Sequence, residues 1–288
     1  MNKIWKALQG AEEKTESELL AELFDEAEAL VIGIGAGMSA ADGFTYVGPR
    51  FKENFPDFIA KYGLFDMLQA FLNDFESLEE YWAFQSRFVK LNGLDQEAGD
   101  SYLKLRALLK DKNYHIITSN ADNAFEAANF DLDKVFYYQG KYVLFQCSKQ
   151  CQEVTYRDDE MIREMVERQE DMKVPSQLIP YCPNCGAPLE INKRDTVRGM
   201  VEDAHWHDQE RAYLDFLAAN EGKKVLYLEI GIGHTTPELI REPFQEETLD
   251  NPQALYVMMN QKPYHIPSEL ADQSLRLTDD LAQTFAKM

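Results

Sequence analysis

The stretch LVIGIGAGMSAADG, residues 30–43, begins as a short buried strand and continues as a turn of small residues. Its first residues are apolar and partly β-branched, which is typical of a strand inside a parallel sheet. A glycine-rich turn after such a strand lets backbone amides and a following helix N-terminus approach a phosphate closely. The stretch therefore predicts an α/β fold with a phosphate-bearing ligand at this turn; the alternative is a turn that is merely tight.

The dinucleotide fingerprint G-x-G-x-x-G is not present in this turn. Counted from Gly33, the sixth position is Met38 rather than glycine. No second strand supplies a ribose-binding acid about twenty residues further on. The sequence thus argues against an ordinary nicotinamide-dependent dehydrogenase.

Strand and helix patterns alternate on both sides of a segment that contains the cysteines. The predicted strands are 30–34, 112–118, 135–138, 142–146, 224–230, 254–259 and 274–277. The amphipathic or helical segments are 16–30, two or three helices within 55–92, 121–128, 158–172, 208–220 and a final helix. We therefore expect a doubly wound parallel sheet, with the cysteine segment 147–200 inserted into it.

The composition excludes several classes of partner. Lys and Arg number 29 against 50 Asp and Glu in 288 residues, which gives a net charge of −21. Such a field repels phosphate backbones and anionic lipid, so we expect neither nucleic acid nor membrane as a partner, although plain solubility explains the charge equally well. The N-terminus has no apolar stretch typical of a signal peptide, and the longest apolar run is about ten residues, so we expect a cytoplasmic protein.

Polar or small residues follow four of the predicted strands. Since the carboxyl ends of parallel strands meet at one edge, these residues are expected to line one crevice. They are the glycine turn, the run Thr118-Ser119-Asn120-Ala-Asp122, the turn Gly231-Ile-Gly233, and Asn260. The set suits a ligand with phosphates, riboses and a carboxamide; the alternative for Asn120 is a helix cap.

Four cysteines occur as two pairs, Cys147-x3-Cys151 and Cys182-Pro-Asn-Cys185. In a reducing cytoplasm such pairs point to a metal site before disulfides. Two such cysteine pairs can place four thiolates at the corners of a tetrahedron, the geometry that Zn²⁺ adopts in structural sites. Four protein ligands leave no coordination position for a catalytic water. We expect a structural zinc site; the alternative is four unligated thiols.

These stretches together resemble the sirtuin family. The signature G-A-G-x-S occurs as Gly35-Ala-Gly-Met-Ser39, and T-Q-N-I-D as Thr118-Ser-Asn-Ala-Asp122. The resemblance implies a Rossmann-like NAD-binding domain (1–54, 94–144 and 200–288) and a small domain made of a helical module (55–93) and a zinc-ribbon module (145–199). The residues that it implies for NAD binding are Gly35, Ala36, Gly37, Ser39, Ala40, Asp42, Ser119, Asn120, Asp122, Gln139, Gly231, Gly233 and Asn260.

Two departures from the sirtuin pattern concern the reaction. The His-Gly pair of the deacylases is replaced by Gln139-Gly140, and the I-P-x-F-R segment by Phe44-Thr-Tyr-Val-Gly-Pro-Arg50. Both are similar to the macrodomain-linked class M sirtuins. That resemblance implies protein ADP-ribosylation, with a lipoylated carrier related to glycine cleavage H as the acceptor and a macrodomain protein as an associated partner.

The residues themselves favour the first half of sirtuin chemistry over the second. Breaking the bond between nicotinamide and ribose develops positive charge on the ribose, and Asn120 and Asp122 could hold the ribose and the carboxamide. Acyl migration also needs a base with a pKa like that of histidine, whereas Gln139 can only form hydrogen bonds. By analogy of position, Arg194 reaches the cleft as a fourth catalytic candidate and binds an anionic acceptor group; the alternative is a solvated charge.

The sequence thus predicts an NAD-dependent protein ADP-ribosyltransferase. One alternative is an NAD-dependent protein-lysine deacylase with His115 or His234 as a substitute base. The other is a protein that binds NAD or ADP-ribose without turnover.

Overall fold

The computed structural model describes residues 4–195, 197–234 and 237–288. Eight strands occur, which are β1 (Ala29–Ile34), β2 (Tyr114–Thr118), β3 (Val135–Tyr137), β4 (Phe145–Cys147), β5 (Leu189–Ile191), β6 (Val225–Ile230), β7 (Leu255–Met259) and β8 (Ser274–Leu277). The α-helices are α1 (Glu16–Glu26), α2 (Ala36–Ala41), α3 (Pro49–Asn54), α4 (Pro56–Tyr62), α5 (Met67–Phe71), α6 (Leu78–Val89), α7 (Asp100–Leu108), α8 (Ala124–Ala127), α9 (Asp159–Arg168), α10 (Ala204–Ala219), α11 (Arg241–Asp250) and α12 (Leu281–Lys287). A π-helical turn (Lys90–Leu94) and short 3₁₀ segments complete the set, the latter at Lys6–Leu8, Ala11–Glu13, Leu132–Lys134, Ser176–Leu178, Pro237–Leu239 and Ser268–Leu270.

Six strands form one parallel sheet in the order β3-β2-β1-β6-β7-β8. The chain builds outward from β1 in one direction and then returns to its other side with β6. The strand order therefore reverses between β1 and β6, and in such a sheet ligands bind outside the carboxyl ends of the strands at this point. The glycine turn follows β1 directly, so the fold places it at the reversal.

Helices cover both faces of this sheet, so the predicted doubly wound arrangement is confirmed. On one face, helices α1, α7 and α12 bury Leu20, Tyr102 and Phe285 against the strands. On the other face, α10 and α11 bury Tyr213 and Phe244. Alternate residues of β1 contribute to the two cores, as a strand buried on both faces requires.

A third core lies outside the sheet and is rich in aromatic side chains. It unites α3 to α6 with the segment that carries β4, α9 and β5, where β4 and β5 pair antiparallel. Phe58, Phe84, Trp82 and Phe145 are fully buried in it. The grouping of 55–93 with 145–199 as one small domain stays a prediction, since the same core also takes in Phe51, Tyr142 and Val143 from segments that we assigned to the larger domain.

Several predicted elements differ in the structure. The strand expected at 142–146 is Phe145–Cys147 and belongs to the small sheet, and α10 begins at Ala204 rather than 208 because the Asp203 carboxylate caps it. Helices α7 and α11 were not predicted, since α7 has weak amphipathic patterning and α11 carries Pro243 in its first turn. Within the described ranges, no helix is long and apolar enough to cross a membrane.

Candidate active site

Two glycine turns pack backbone against backbone at the strand reversal. The Gly37 N–H donates to the Gly231 carbonyl at 2.9 Å, and the Gly35 N–H to that of Ile230 at 3.0 Å. A Cβ on Gly37 would lie 2.6 Å from the Cα of Gly231, and Gly231 has a φ of +63°. Glycine is therefore required here by the contact between the turns, whether or not a phosphate also binds.

A cavity of about 390 Å³ opens beside these turns. It gathers predicted NAD-binding residues from three strand ends, namely Ala36, Gly37, Ala40, Gly231, Gly233 and Asn260. The Asn260 amide donates to the Ile232 carbonyl at 2.9 Å, and its oxygen accepts from the Lys262 N–H at 3.0 Å. Lys262 and Tyr264 also line the cavity, although sequence reasoning did not single them out.

A buried hydrogen-bond network lies at the ends of β1 and β2. The Asn120 amide nitrogen donates to the Gly35 carbonyl at 3.0 Å and lies 3.2 Å from both the Ser39 and the Tyr102 hydroxyl oxygens. Ser39 in turn donates to the Asp122 carboxylate at 2.8 Å. The network brings three predicted site residues together with Tyr102, which sequence reasoning missed because α7 was not predicted.

Asp122 is the charged member of this network and is only 3% exposed. Burial raises the pKa of Asp122, although the hydrogen bonds from Ser39 and the Ala124 N–H and the nearby Arg50 act in the opposite direction. The bond to Ala124 also means that Asp122, and not Asn120, satisfies the start of α8. The alternative of Asn120 as a helix cap is therefore wrong.

Arg50 links the network to the small domain and was quoted from the sequence without a role. Its guanidinium donates to the Asn92 side-chain oxygen at 2.7 Å and to the Leu91 carbonyl at 3.1 Å. The Asn92 carbonyl accepts from the Asn123 N–H at 3.3 Å. The π-helical turn, a geometry frequent at functional sites, therefore joins the helical module to the loop that carries Asp122.

Gln139 lies just after the end of β3, where Arg194 contacts its neighbour Tyr138. Gln139 lies two residues after the end of β3, is half-buried, and forms no side-chain hydrogen bond within the described ranges. Arg194 donates to the Tyr138 carbonyl at 3.1 Å and to Glu202 at 2.7 Å. Its guanidinium also lies 4.7 Å from the Tyr138 ring centre and 5.6 Å from that of Trp206. Arg194 is thus held against Tyr138, the residue before Gln139, which contradicts the alternative of a solvated charge.

Asp42 and Ser119 are less directly placed. One Asp42 carboxylate oxygen accepts from the Ser101 N–H at 3.0 Å in the first turn of α7. Ser119 is half-buried, and its N–H donates to the Ile34 carbonyl at 3.1 Å. The second Asp42 carboxylate oxygen is buried and has no hydrogen-bond partner among the described residues, and Ser119 lies next to Asn120 in the chain.

The two histidines considered as substitute bases have different positions. His115 is buried within β2 against Tyr213 and Phe216, on the face covered by α10. Burial lowers its pKa to about 4, with Lys134 acting in the same direction. His115 is therefore not at the carboxyl edge of the sheet, whereas His234 is exposed in the turn after Gly233.

The four cysteines converge in the small domain. Their sulfur atoms all lie within 4.8 Å of one another, with Cys147–Cys185 and Cys151–Cys182 each at 3.5 Å. A tetrahedral zinc with bonds of about 2.3 Å requires sulfurs nearly 4 Å apart, so the cluster fits a metal ion. The extra residue in the first cysteine pair does not prevent convergence.

No family model matches the chain. A protein of Staphylococcus aureus strain Mu50 named "Protein ADP-ribosyltransferase" is 56% identical over 272 residues, covering 94% of this chain and 86% of that protein. A Fusarium oxysporum protein named "Probable bifunctional ADP-ribose hydrolase/ADP-ribosyltransferase" is 27% identical over 239 residues, or 79% of this chain, which spans 39% of the fungal protein's length.

Solved sirtuin structures share the fold. Sir2Tm bound to a propionylated peptide superposes with a TM-score of 0.58 at 16% identity, covering 95% of this chain and 97% of that one. A Sir2 homologue in complex with NAD gives a TM-score of 0.57 at 17% identity, covering 94% and 91%. At such low identity these likenesses establish the architecture.

Proposed function

The chain belongs to the sirtuin-type protein ADP-ribosyltransferases, and on this premise we propose that it transfers ADP-ribose from NAD to a protein acceptor and releases nicotinamide. The observation that carries the proposal is the pairing of an intact Ser39–Asn120–Asp122 network with a glutamine after β3. The network suits the step that breaks the nicotinamide–ribose bond. Gln139 supplies no base for acyl migration.

In this proposal the cofactor spans the carboxyl edge of the sheet. The cavity beside Gly231 and Asn260 takes the adenosine half, and the two glycine turns take the diphosphate. The nicotinamide ribose lies at Asn120 and Asp122, whose side chains orient it and offset positive charge as it develops. Because both side chains are buried, the closed network must open to admit the ribose.

The transfer step needs an acceptor nucleophile and no acyl group. The bond between C1′ and the nicotinamide nitrogen breaks, and nicotinamide leaves with the electron pair. An acceptor side chain then forms the new bond to C1′ and gives up its proton. Gln139 and Arg194 are assigned to orientation, Gln139 through hydrogen bonds to the ribose or the acceptor and Arg194 through an anionic acceptor group.

The finer identity of the acceptor rests on resemblance to class M sirtuins. On that basis we propose a lipoylated carrier related to glycine cleavage H, with a macrodomain protein as an associated partner. The cysteine cluster is assigned a structural zinc ion, whose role is to hold the small domain together. Cysteines that ligate a metal instead of forming disulfides suit a reducing compartment, so the cytoplasm is the proposed location.

Deacylation is the weaker alternative because Gln139 supplies no base and His115 is buried under α10, which leaves the exposed His234 as the remaining candidate base. A binding protein without turnover differs from the transferase by releasing no nicotinamide. Nicotinamide release is therefore measured by chromatography with three additions to the protein and NAD: a lipoylated carrier, the same carrier without lipoate, or an acetyl-lysine peptide. We expect a carrier to stimulate release and the peptide not to do so. Stimulation by the peptide, with loss of its acetyl group, would establish the deacylase instead.

A further inference from the structure

Asn192 packs directly against the turn that carries Gln139. A Cβ at position 140 would lie 2.5 Å from the Asn192 side-chain oxygen and 2.8 Å from the Asn192 carbonyl oxygen. Gly140 also has a φ of +84°, a backbone conformation that favours glycine. The turn is therefore fitted to Asn192 without any space between them, and the position of Gln139 depends on where Asn192 lies.

A buried network of amide groups holds Asn192 in place. Asn192 and Gln146 are only 2% and 1% exposed. The Asn192 side-chain nitrogen donates to the Gln146 side-chain oxygen at 2.9 Å and to the Val201 carbonyl at 3.0 Å. The Asn192 backbone N–H donates to the Leu144 carbonyl at 2.7 Å. Side chain and backbone of Asn192 are thus fixed by separate hydrogen bonds.

The backbone of Val201 sets the orientation of both amides. Its carbonyl can only accept, so Asn192 must turn its side-chain nitrogen towards it. Its N–H can only donate, and it does so to the Gln146 side-chain oxygen at 2.8 Å. A reversed Asn192 amide would leave these buried groups without hydrogen bonds, which is costly. The Asn192 oxygen therefore faces Gly140.

The residue on the other side of Gln139 is also held. The Tyr138 carbonyl accepts from the Arg194 guanidinium at 3.1 Å and from the Trp206 indole N–H at 3.4 Å. Arg194 belongs to the same segment as Asn192, two residues further on. Gln139 thus lies between two backbone positions that are fixed by one segment of the chain, and these contacts decide where its side chain points.

We propose that Asn192 is a positioning residue that fixes this turn so that the Gln139 amide reaches the ribose or the acceptor, an inference that rests on the proposed transferase function. Asn192 acts on the reaction only through Gln139. Misplacing an orienting group by about 1 Å lowers a rate about 100-fold. Loss of the Asn192 amide leaves the bond to Leu144 in place, so we expect a smaller displacement and a fall in kcat of about tenfold.

The test compares Asn192→Ala with Asn220→Ala, which also removes a buried asparagine. Asn220 is 4% exposed, and its amide donates to the Phe216 carbonyl at 2.7 Å. It follows the last turn of α10, about 20 Å along the helix from Trp206. We expect both variants to lower the melting temperature. Only Asn192→Ala should lower kcat for transfer to a lipoylated carrier and speed hydrogen–deuterium exchange of the backbone at 138–142.

A double-mutant cycle separates positioning from general damage to the fold. If Asn192 acts through Gln139, adding Asn192→Ala to Gln139→Ala should lower kcat by less than about twofold further. Gln146→Met removes the oxygen that accepts from both Asn192 and Val201. This variant is measured in the same cycle and should show the same pattern, which keeps the test decisive if Asn192→Ala does not fold.

Two results would overturn the inference. Unchanged exchange at 138–142 in Asn192→Ala would show that Asn192 does not hold the turn. A further fall of about tenfold in the Gln139→Ala background would show that Asn192 affects the reaction by another route. A wild-type protein that modifies no carrier, with exchange at 138–142 rising as expected in Asn192→Ala, would refute the transferase function but support Asn192 as the residue that holds the turn.

Discussion

Removing Arg241 should both destabilise the fold and weaken NAD binding. Its guanidinium pairs with Glu229 at 2.5 Å, and Glu229 is 0% exposed. Among the described residues, Arg241→Met leaves that buried carboxylate with the Tyr256 hydroxyl as its one remaining partner. Breaking a buried pair from one side costs about 3–5 kcal/mol, and at about 2–4 °C per kcal/mol the melting temperature should fall by about 6–20 °C.

The same guanidinium donates to the Ile232 carbonyl at 2.8 Å, inside the turn between Gly231 and Gly233. Loss of this one hydrogen bond, worth about 1 kcal/mol, is expected to loosen the turn and to raise the Kd for NAD about fivefold. The double variant Glu229→Gln/Arg241→Met removes the uncompensated charge of Glu229, but it does not restore the hydrogen bond to the Ile232 carbonyl. It should regain most of the thermal stability while its Kd for NAD stays high.

The assays are thermal unfolding without ligand and NAD titration by calorimetry, each on the wild type and both variants. In the double variant we expect a melting temperature close to that of the wild type together with a raised Kd for NAD. Wild-type affinity for NAD in that variant would refute the argument that Arg241 holds the turn. A fall of only about 1 °C in Arg241→Met would refute the argument that the pair is buried and mutually dependent.

Three further predictions concern the network, the reaction type and the cysteines. Burial raises the pKa of Asp122 in the folded protein. The charged carboxylate therefore lowers the stability of the fold at pH values above this raised pKa. This destabilisation disappears as the pH falls below the pKa of Asp in the unfolded chain, about 3.9. Asp122→Asn should therefore raise the melting temperature more at pH 7.5 than at pH 4 while abolishing transfer; an equal gain at both would contradict this. Gln139→His is expected to give measurable deacetylation of an acetyl-lysine peptide, and if it changes nothing, position 139 does not set the reaction type. Chelation should release about one zinc per chain and lower the melting temperature, as should Cys182→Ser; a metal-free protein of unchanged stability would show four unligated thiols.

The sequence was informative wherever a local pattern carries the structure. Buried strands are short apolar runs, and residues after parallel strands share an edge, so Asn120, Asp122, Gly231 and Asn260 could be placed at one crevice. The cysteine pairs likewise predicted convergence from spacing alone. From the sequence, glycine at positions 35 and 37 was explained by the close approach of a ligand to the backbone. In the structure, the close contact of these positions with the Gly231 backbone already requires glycine.

What could not be predicted depends on contacts between residues far apart in the chain. Tyr102 reaches Ser39 across 63 positions, from a helix with weak patterning. Nothing in the sequence distinguishes Glu229 and Arg241 from ordinary surface charges, because their burial and pairing follow only from the packing of α11. Arg194 similarly gains its ring contacts from the fold.

The direct test of the transferase reaction is intact-protein mass spectrometry of a lipoylated carrier after incubation with this enzyme and NAD. We expect the carrier to gain one ADP-ribosyl unit and the gain to disappear with Asn120→Ala. An unmodified carrier, in a reaction where an acetyl-lysine peptide loses its acyl group, would contradict this expectation.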